Sequence, residues 1–249
     1  MKGRHAVVIL SGGMDSSTLL YYVRHTLLRK VSAVSFFYGQ RHARELDSAQ
    51  AIAFRCGQII NAPRGPISDI AWTKVDISSV MRVFPSALTG TLAVPEGHYA
   101  EESMKQTVVP NRNAIMLSIA AGIAISVGAQ EVYFGPHAGD HAIYPDCRSD
   151  FVRAFSRAIW LANRWTPVRI RAPFLSLTKG QIVKLGLDLH GPYELTWTCY
   201  QGGNVACGRC GTCVERLEAF AEAGAQDLLP YADMTYWRDV TDAKKTATA

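Results

Sequence analysis

The chain has 249 residues, of which 48% are hydrophobic and 19% are charged. This length allows one large α/β domain with a small appendage, and the composition is that of an ordinary soluble enzyme rather than a fibrous or disordered chain. The net charge of +5 suits a small anionic substrate but is too diffuse to indicate nucleic-acid binding by itself.

The predicted elements alternate between strands and helices along the chain. Strands are predicted at residues 6–10, 31–38, 131–135 and 168–172, with a weaker one at 58–61. Helices are predicted at residues 16–28, 44–55, 112–127, 149–160 and 178–190. Short apolar strands separated by helices indicate right-handed βαβ units and a doubly wound parallel sheet. In such sheets ligands bind beyond the carboxyl ends of the strands.

The first loop, Ser11-Gly12-Gly13-Met14-Asp15-Ser16-Ser17, lies at such a strand end. Its glycines let the backbone approach a phosphate, and the N–H groups at the start of the next helix face that charge. The loop has no Walker A lysine. Its SGGxDS pattern resembles the PP-loop of ATP pyrophosphatases, which cut ATP between the α- and β-phosphates.

From this resemblance we expect ATP to bind at the end of the first strand and along the loop. The predicted residues are Leu10, Ser11, Gly12, Gly13, Asp15, Ser16 and Ser17. Asp15 is a candidate ligand for Mg²⁺, a hard cation that prefers oxygen. Helix N-capping is the alternative role for Asp15 and Ser16.

Three other stretches of the chain carry weaker predictions. Residues 61–110 are rich in proline and glycine and indicate a long, functional or partner-contacting loop. The apolar stretch from Ala114 to Ala129 is shorter than the roughly 20 residues of a membrane span, and no signal peptide opens the chain, so a cytoplasmic location is expected. Residues 241–249 are small and polar, and we expect them to be frayed.

Four of the six cysteines lie within fifteen residues, at Cys199, Cys207, Cys210 and Cys213. In a cytosolic chain this spacing favours a metal over disulfides. It fits a closed tetrahedral zinc site with a structural role. An iron–sulfur cluster and redox-active C-x-x-C pairs remain alternatives, whereas Cys56 is expected to serve packing.

Further sequence blocks follow in order between the first loop and the cysteines. They are Tyr38-Gly39-Gln40-Arg41-His42, Val109-Pro110-Asn111-Arg112-Asn113, Tyr144-Pro145-Asp146-Cys147-Arg148, Thr178-Lys179 and Thr198-Cys199-Tyr200. Together with the loop they resemble the 7-cyano-7-deazaguanine (preQ0) synthase family over nearly the whole chain. The chain departs from the family pattern at Asn111, which replaces a small residue, and at Ala142-Ile143, which replaces Ser-Gly. His137 and His141 also enter this region, and a changed substrate pocket would follow from these departures.

The resemblance implies an ATP-dependent ligase that makes the nitrile 7-cyano-7-deazaguanine from 7-carboxy-7-deazaguanine and ammonia through adenylated intermediates. It implies catalytic roles for Asp15, Ser16, Arg112 and Lys179. The implied substrate-binding residues are Tyr38, Gln40, Arg41, Arg112, Asn113, Asp140, Tyr144, Asp146 and Arg148. We expect ATP, Mg²⁺ and Zn²⁺ as cofactors, the resemblance implies a homodimer, and no direct contact with nucleic acid or membrane is expected.

The implied organisation is a nucleotide-binding domain at residues 1–190, a zinc-binding segment at 191–225 and a tail at 226–249. Several alternatives stay open at this point. The enzyme could stop at the amide, 7-amido-7-deazaguanine, or be another PP-loop enzyme such as a tRNA thiolase. A non-catalytic zinc-bearing nucleic-acid binder is a more distant alternative. Cys147 as a thioester-forming nucleophile is the minority interpretation, since nothing in the sequence indicates a lowered thiol pKa.

Overall fold

A computed structural model describes residues 4–40, 44–59, 67–84, 86–88, 95–99 and 102–248. Its strands are β1 (His5–Ile9), β2 (Lys30–Phe37), β3 (Gln58–Ile59), β4 (Ile67–Ser68), β5 (Ala71–Asp76), β6 (Glu131–Tyr133) and β7 (Arg169–Arg171). Its α-helices are α1 (Met14–Tyr21), α2 (Arg44–Cys56), α3 (Ser78–Met81), α4 (Arg112–Ser126), α5 (Ser149–Ala162), α6 (Lys179–Asp188), α7 (Gly211–Glu222) and α8 (Tyr236–Thr248). Short 3-10 helices cover Glu102–Thr107, Ala138–Ala142, Pro145–Cys147 and Tyr193–Leu195.

The main sheet has five parallel strands in the order β5-β2-β1-β6-β7. The chain first extends the sheet from β1 toward β5 and then returns to add β6 and β7 on the other side of β1. The strand order therefore reverses between β1 and β6, which is the position where doubly wound folds bind ligands. The predicted doubly wound parallel sheet is confirmed.

Helices cover both faces of this sheet, which explains the unbroken apolar run of the first strand. Ala6 and Val8 face the core formed with α1, α2 and α6, whereas Val7 faces the core formed with α4. All three side chains are fully buried. β1 is consequently the rigid centre from which the first loop emerges.

The fifth strand of the main sheet is one that the sequence pattern did not predict. β5 lies at the sheet edge with mostly exposed or half-exposed residues, so it has no apolar run. The weak prediction at 58–61 contributes only β3, which pairs antiparallel with β4 outside the main sheet. Residues 60–66 lie outside the described part of the chain.

Helix boundaries also differ from the prediction at both ends of the chain. The first helix was expected to reach Leu28, but α1 ends at Tyr21 and continues as a π-helical turn over Tyr22–Thr26. α7 and α8 were not predicted. Residues 241–248, which we expected to be frayed, continue α8 to Thr248, and Thr241 is buried.

Residues 61–110 contain regular structure where they are described, namely β4, β5, α3 and the 3-10 helix Glu102–Thr107. Residues 85, 89–94 and 100–101 of this region lie outside the description. The prediction of one long loop is therefore wrong for the described residues, which add the edge strand to the sheet.

One helical stretch, Met104–Ser126, is long and apolar enough to cross a membrane by length and composition alone. It combines a 3-10 turn with α4. Within α4, Leu117, Ala120 and Ala124 have no exposed surface and pack against the sheet. This packing is that of a core helix, which passes the same test of length and apolarity.

Candidate active site

A cavity of about 300 Å³ opens beyond the carboxyl ends of β1 and β6, at the reversal of strand order. Its size is that of a small-molecule site. Most of the sequence-predicted site residues line it: Leu10, Ser11, Gly13, Asp15, Ser16, Tyr38, Gln40, Arg112, Asn113, Asp140, Tyr144 and Lys179. The topology thus brings residues from across the chain to one place.

Four predicted site residues do not line the cavity, and Arg41 lies outside the described residues. Ser17 is buried and its Oγ donates to the Gly13 carbonyl at 2.7 Å. Arg148 is exposed and its Nε donates to the carbonyl of His141 at 3.0 Å. The other two are Gly12 and Asp146.

The backbone conformation of Gly12 and its contact with α2 both require glycine. Its φ is +90°, and a Cβ there would lie 2.2 Å from the carbonyl oxygen of Glu45. Only glycine adopts this conformation readily while leaving room for the start of α2. Gly12 therefore lets α2 pack against the first loop.

Hydrogen bonds within the first loop hold it in a closed turn. The Ser11 N–H donates to Ser16 Oγ at 3.1 Å, the two hydroxyl oxygens lie 3.0 Å apart, and the Gly13 N–H donates to Ser11 Oγ at 3.3 Å. Gly13 is the N-cap of α1 and has no side-chain cap. The alternative that Asp15 or Ser16 is the N-cap is therefore wrong, and both side chains line the cavity instead.

Asp15 has one bound and one unbound carboxylate oxygen. Its Oδ2 lies 3.3 Å from Lys179 Nζ, whereas its buried Oδ1 has no hydrogen-bond partner among the described residues. A buried oxygen without a partner is costly unless something else binds it. This atom fits a ligand to a hard cation such as Mg²⁺.

Lys179 begins α6 and is enclosed by two carboxylates. Besides Asp15, it contacts Glu215 of α7, whose Oε2 lies 2.5 Å from Nζ. Burial opposes the charge, but Asp15 and Glu215, with a contribution from Asp140, outweigh it and raise the pKa of Lys179 above its ordinary value. The ammonium is therefore a permanent charge at this end of the cavity. Glu215 was missed by the sequence analysis, because no motif pointed to it.

The other carboxylate oxygen of Glu215 lies close to the loop that follows β6. Its Oε1 lies 3.6 Å from His137 Nε2, which is also 3.7 Å from Asp140 Oδ1. The Gly139 N–H donates to His137 Nδ1 at 3.1 Å, so the imidazole proton is assigned to Nε2, facing both carboxylates. Asp140 Oδ2 in turn accepts from the His137 backbone N–H at 3.0 Å. His137 and Asp140 thus form the cap of a 3-10 helix at the cavity wall.

Arg112 occupies the other half of the cavity. Its guanidinium carbon lies 5.8 Å from the centre of the Tyr38 ring, and Tyr144 and Tyr200 are also close enough to influence it. Unlike Lys179, it forms no ion pair with any residue in the described part of the chain. This cation is available for an anionic ligand, to which arginine donates a planar fork of N–H groups.

Glu45, in the first turn of α2, also lines the cavity. Burial raises the pKa of its carboxyl to about 8, although the charge of Arg112 opposes the shift. A carboxyl that changes charge near neutral pH is a candidate proton donor or acceptor. The sequence analysis missed Glu45, which lies three residues after the block that runs from Tyr38 to His42. It also missed Trp197 and Tyr200, which flank the first cysteine and line the cavity.

The side chain of Gln40 is occupied in holding the end of β2. Its Oε1 accepts from the Tyr38 N–H at 2.8 Å, and its Nε2 donates to the Phe36 carbonyl at 3.1 Å. Both ends of the amide are used. Gln40 consequently positions Tyr38 at the cavity.

Cys147 lines the cavity as a thiol. Burial, with contributions from Asp140 and Asp146, raises the pKa of Cys147 above its ordinary value. The Asn113 amide donates to its Sγ at 3.4 Å, and Asp146 Oδ2 accepts from the Asn113 backbone N–H at 3.3 Å. Because a nucleophilic cysteine needs a thiolate, these surroundings count against the thioester interpretation.

The four clustered cysteines converge on one point. Their Sγ atoms all lie within 4.8 Å of one another. The N–H groups of Cys207 and Cys210 each donate to a sulfur of the cluster, Cys199 Sγ and Cys207 Sγ respectively, at 3.3 Å. Tetrahedral zinc at about 2.3 Å from each sulfur places neighbouring sulfurs about 3.8 Å apart. The donor set and its spread fit one tetrahedral ion.

The cysteine segment forms part of the cavity wall. Residues next to the cysteines line the cavity: Trp197, Thr198, Tyr200, Gly211, Thr212 and Glu215. The Trp197 N–H donates to the Gly12 carbonyl at 2.9 Å. The four clustered cysteines themselves are outside the lining.

A doubly wound parallel sheet whose SGGxDS loop borders a cavity at the switch point defines a protein of the PP-loop ATP pyrophosphatase class. Residues 5–224 match the family model described as "Queuosine biosynthesis protein QueC". The chain therefore belongs to the QueC family, which confirms the resemblance found in the sequence motifs.

Curated relatives share about half of their residues with this chain. A 7-cyano-7-deazaguanine synthase from Archaeoglobus fulgidus is 50% identical over 225 residues, covering 90% of this chain and 89% of the relative. One from Marinobacter nauticus is 52% identical over 226 residues, covering 90% and 96%. One from Caldicellulosiruptor saccharolyticus is 48% identical over 237 residues, covering 95% and 99%.

Among solved structures, an NMN synthetase from Francisella tularensis aligns with 99% of this chain and 85% of its own, at 12% identity and a TM-score of 0.48. This likeness is too distant to bear on the activity of the chain.

Proposed function

We propose that this chain is an ATP-dependent C–N ligase that converts 7-carboxy-7-deazaguanine and ammonia to 7-cyano-7-deazaguanine. One observation carries the proposal: a PP-loop and Arg112, an arginine without an ion-pair partner among the described residues, face the same cavity in a chain about half identical to named 7-cyano-7-deazaguanine synthases. The loop serves ATP, and the arginine serves an anionic second substrate.

The reaction needs activation because a carboxylate is a poor electrophile. Attack of a carboxylate oxygen on the α-phosphate of ATP releases pyrophosphate and leaves an acyl-adenylate. Ammonia then displaces AMP to give the amide. A second adenylation, on the amide oxygen, allows loss of AMP and two protons to give the nitrile. The protein supplies orientation and charge neutralisation for these steps.

The first loop is proposed to hold the phosphates of ATP. The start of α1 and the Ser11 and Ser16 hydroxyls supply N–H and O–H donors. Asp15 would bind Mg²⁺ through its unpartnered Oδ1, and that ion would neutralise phosphate charge. Lys179 keeps a positive charge beside Asp15, where it can contact a phosphate oxygen as charge develops.

The deazaguanine carboxylate is proposed to lie against Arg112. The rings of Tyr38 and Tyr144 border the same half of the cavity and offer flat surfaces for a purine-like ring. Asp140 and Asn113 supply polar groups at the wall. Glu45 is placed to accept a proton during amide or nitrile formation.

Zinc is proposed at Cys199, Cys207, Cys210 and Cys213. The support is the close approach of the four sulfurs, which suits a single ion. Four thiolates leave no open coordination position for a catalytic water. The role is therefore structural: the site holds the segment that lines the cavity.

A homodimer in the cytoplasm is proposed for the assembled protein. Phe151 and Phe155 of α5, whose ring centres lie 5.3 Å apart, pack against the core and are only partly buried in this single chain. Ile115 and Ile119 of α4 are partly buried as well. A second copy is the proposed cover for this apolar surface. Four clustered thiols suit a reducing compartment.

The test is turnover by the purified chain. It is incubated with 7-carboxy-7-deazaguanine, ATP, Mg²⁺ and ammonium, with products followed by mass spectrometry and pyrophosphate by a coupled assay. The nitrile is expected, with two molecules of AMP released per molecule formed. Accumulation of the amide alone, with one AMP each, would overturn the nitrile assignment in favour of the amide-stopping alternative. Absence of pyrophosphate release would overturn both.

The relatives' names do not favour the amide-stopping enzyme or a tRNA thiolase. For the thiolase alternative, the cavity contains one cysteine, Cys147, whose pKa is raised by burial. Such a thiol is poorly suited to carry sulfur.

A further inference from the structure

Lys179 is held by two carboxylates that differ in how firmly they are bound. Glu215 Oε2 lies 2.5 Å from Lys179 Nζ, whereas Asp15 Oδ2 lies 3.3 Å away. The Glu215 side chain is 9% exposed and the Asp15 side chain 22%. Glu215 is therefore the closer and better sheltered partner.

The oxygen of each carboxylate that does not face Lys179 shows the same difference in surroundings. Glu215 Oε1 lies 3.6 Å from His137 Nε2, and His137 is itself fixed by the Gly139 N–H. Asp15 Oδ1 is buried without a partner among the described residues. Both carboxylate oxygens of Glu215 thus have a polar neighbour, whereas only one oxygen of Asp15 has one among the described residues.

We propose that Glu215 is a positioning residue that anchors Lys179, so that Asp15 keeps a carboxylate oxygen available for the cation that accompanies the nucleotide. This inference rests on the proposed function, in which Asp15 and Lys179 serve ATP. It also gives the cysteine segment a part in the ATP site, because Glu215 lies on α7, which starts within the cysteine cluster.

The physical reason is competition between two cations for Asp15. A buried ammonium needs a carboxylate partner. With glutamine at position 215, Asp15 is the remaining carboxylate of the described residues at ion-pair distance from Lys179, while Asp140 acts from farther away, and the Asp15–Lys179 pair tightens. Binding of a divalent cation at Asp15 then has to displace the ammonium. Loss of Glu215 should therefore weaken cation binding more than it weakens binding of the adenine ring.

The experiment measures binding without turnover. Mn²⁺ and α,β-methylene ATP are titrated into the full-length protein, and bound Mn²⁺ is followed by electron paramagnetic resonance. This nucleotide cannot be cleaved between its α- and β-phosphates. For Glu215→Gln, the loss of a charged contact predicts an Mn²⁺ Kd about tenfold higher. Asp188→Asn removes one exposed charge from the helix of Lys179 and serves as the matched control, with an unchanged Kd.

Turnover and stability separate positioning from a general structural role. Glu215→Gln should raise the Mg²⁺ concentration needed for half-maximal pyrophosphate release and leave the melting temperature near that of the parent. An Mn²⁺ Kd within about twofold of the parent would overturn the inference, since that is well below the loss expected for a charged contact. Should Glu215→Gln not fold, Glu215→Asp, one methylene shorter, is expected to show the same shift to a smaller extent, and an unshifted Kd there overturns the inference equally.

The two proposals fail in different ways. A parent protein that never releases pyrophosphate with 7-carboxy-7-deazaguanine contradicts the proposed function, yet the effect of Glu215→Gln on Mn²⁺ binding can still be measured. A parent that turns over normally with an unaffected Glu215→Gln variant contradicts only the role of Glu215.

Discussion

The backbone N–H of Trp197 donates to the Gly12 carbonyl at 2.9 Å. This hydrogen bond joins the segment before the cysteine cluster to the first loop. The Trp197 ring is also covered by the Arg44 guanidinium, whose central carbon lies 3.8 Å from the ring centre. Three distant parts of the chain meet here: the loop after β1, the start of α2 and the entry to the cysteines. Changes in any of the three should therefore be felt in the ATP site.

Gly12→Ala should disturb this junction. The new Cβ would lie 2.2 Å from the Glu45 carbonyl oxygen, and a φ of +90° is unfavourable for alanine. We expect a loss of stability of about 2 kcal/mol or more, because backbone strain and overpacking add. Nucleotide binding should weaken as well. Urea denaturation and nucleotide titration measure the two effects.

Gly122→Ala is the matched control, since Gly122 is exposed on α4 and a Cβ there meets nothing within 4 Å. It should be neutral or stabilise the protein by up to about 1 kcal/mol. Equal stability of the Gly12→Ala variant and the parent would show that the loop can relax away from α2.

Glu45→Gln should change how stability depends on pH. The pKa of Glu45 is raised from 4.5 to about 8, so the folded state holds this proton over a wider pH range than the unfolded state. Its contribution to stability is complete below pH 4.5 and is lost as pH rises to about 8. The slope from one group is at most about 1.4 kcal/mol per pH unit. Glutamine does not titrate and should remove this part of the slope.

The measurement compares unfolding free energies of the parent and Glu45→Gln across that pH range. The variant should gain stability relative to the parent as pH rises. Parallel pH profiles would show that Glu45 has an ordinary pKa and would weaken its proposed part in proton transfer.

Removal of the cysteine-bound metal should loosen the cavity wall before it unfolds the sheet. Cys213→Ser, or a strong chelator, is expected to release the ion and lower the melting temperature by several degrees, since each kcal/mol corresponds to about 2–4 °C for a chain of this size. The near-ultraviolet circular dichroism of Trp197, adjacent to the cluster, should change with it.

Cys147→Ser provides the control for metal content, because Cys147 lies outside the cluster. Elemental analysis should find the same metal content as in the parent. Full retention of zinc in Cys213→Ser would contradict the four-cysteine assignment. Iron in place of zinc, with visible absorption, would support the iron–sulfur alternative.

Arg216→Met should destabilise the base of the cysteine segment. Arg216 is fully buried and donates to both carboxylate oxygens of Asp227, at 2.6 and 2.9 Å, and to Thr196 Oγ1 at 2.7 Å. Its loss leaves a buried carboxylate unpaired, at a cost of about 3–5 kcal/mol. Arg216→Met combined with Asp227→Asn removes that charge and should be less destabilised than the single variant. If the double variant loses as much stability as the two single variants together, the ion pair is not the source of the destabilisation.

Local sequence patterns predicted the central strand of the fold and the first loop of the site. The run from Ala6 to Leu10 is apolar on both sides because helices cover both faces of β1, and such runs are recognisable without a structure. The edge strand β5 carried no such signal, since solvent replaces neighbours on its outer side. α7 was missed because it starts inside the cysteine motif, and we interpreted the residue spacing there as that of metal ligands rather than that of a helix.

By itself the sequence determined the class of the protein, the first loop and the four-cysteine cluster, because each depends on residues close together in the chain. Only the tertiary structure decided which side chains face one another across the cavity. Glu215 joins Lys179 from a helix 36 residues away, and Arg112 lacks a carboxylate partner in the described chain whereas Lys179 has two. Pairing between charges depends on distances in space, which the packing of α6, α7 and the sheet sets and which residue spacing along the chain does not encode.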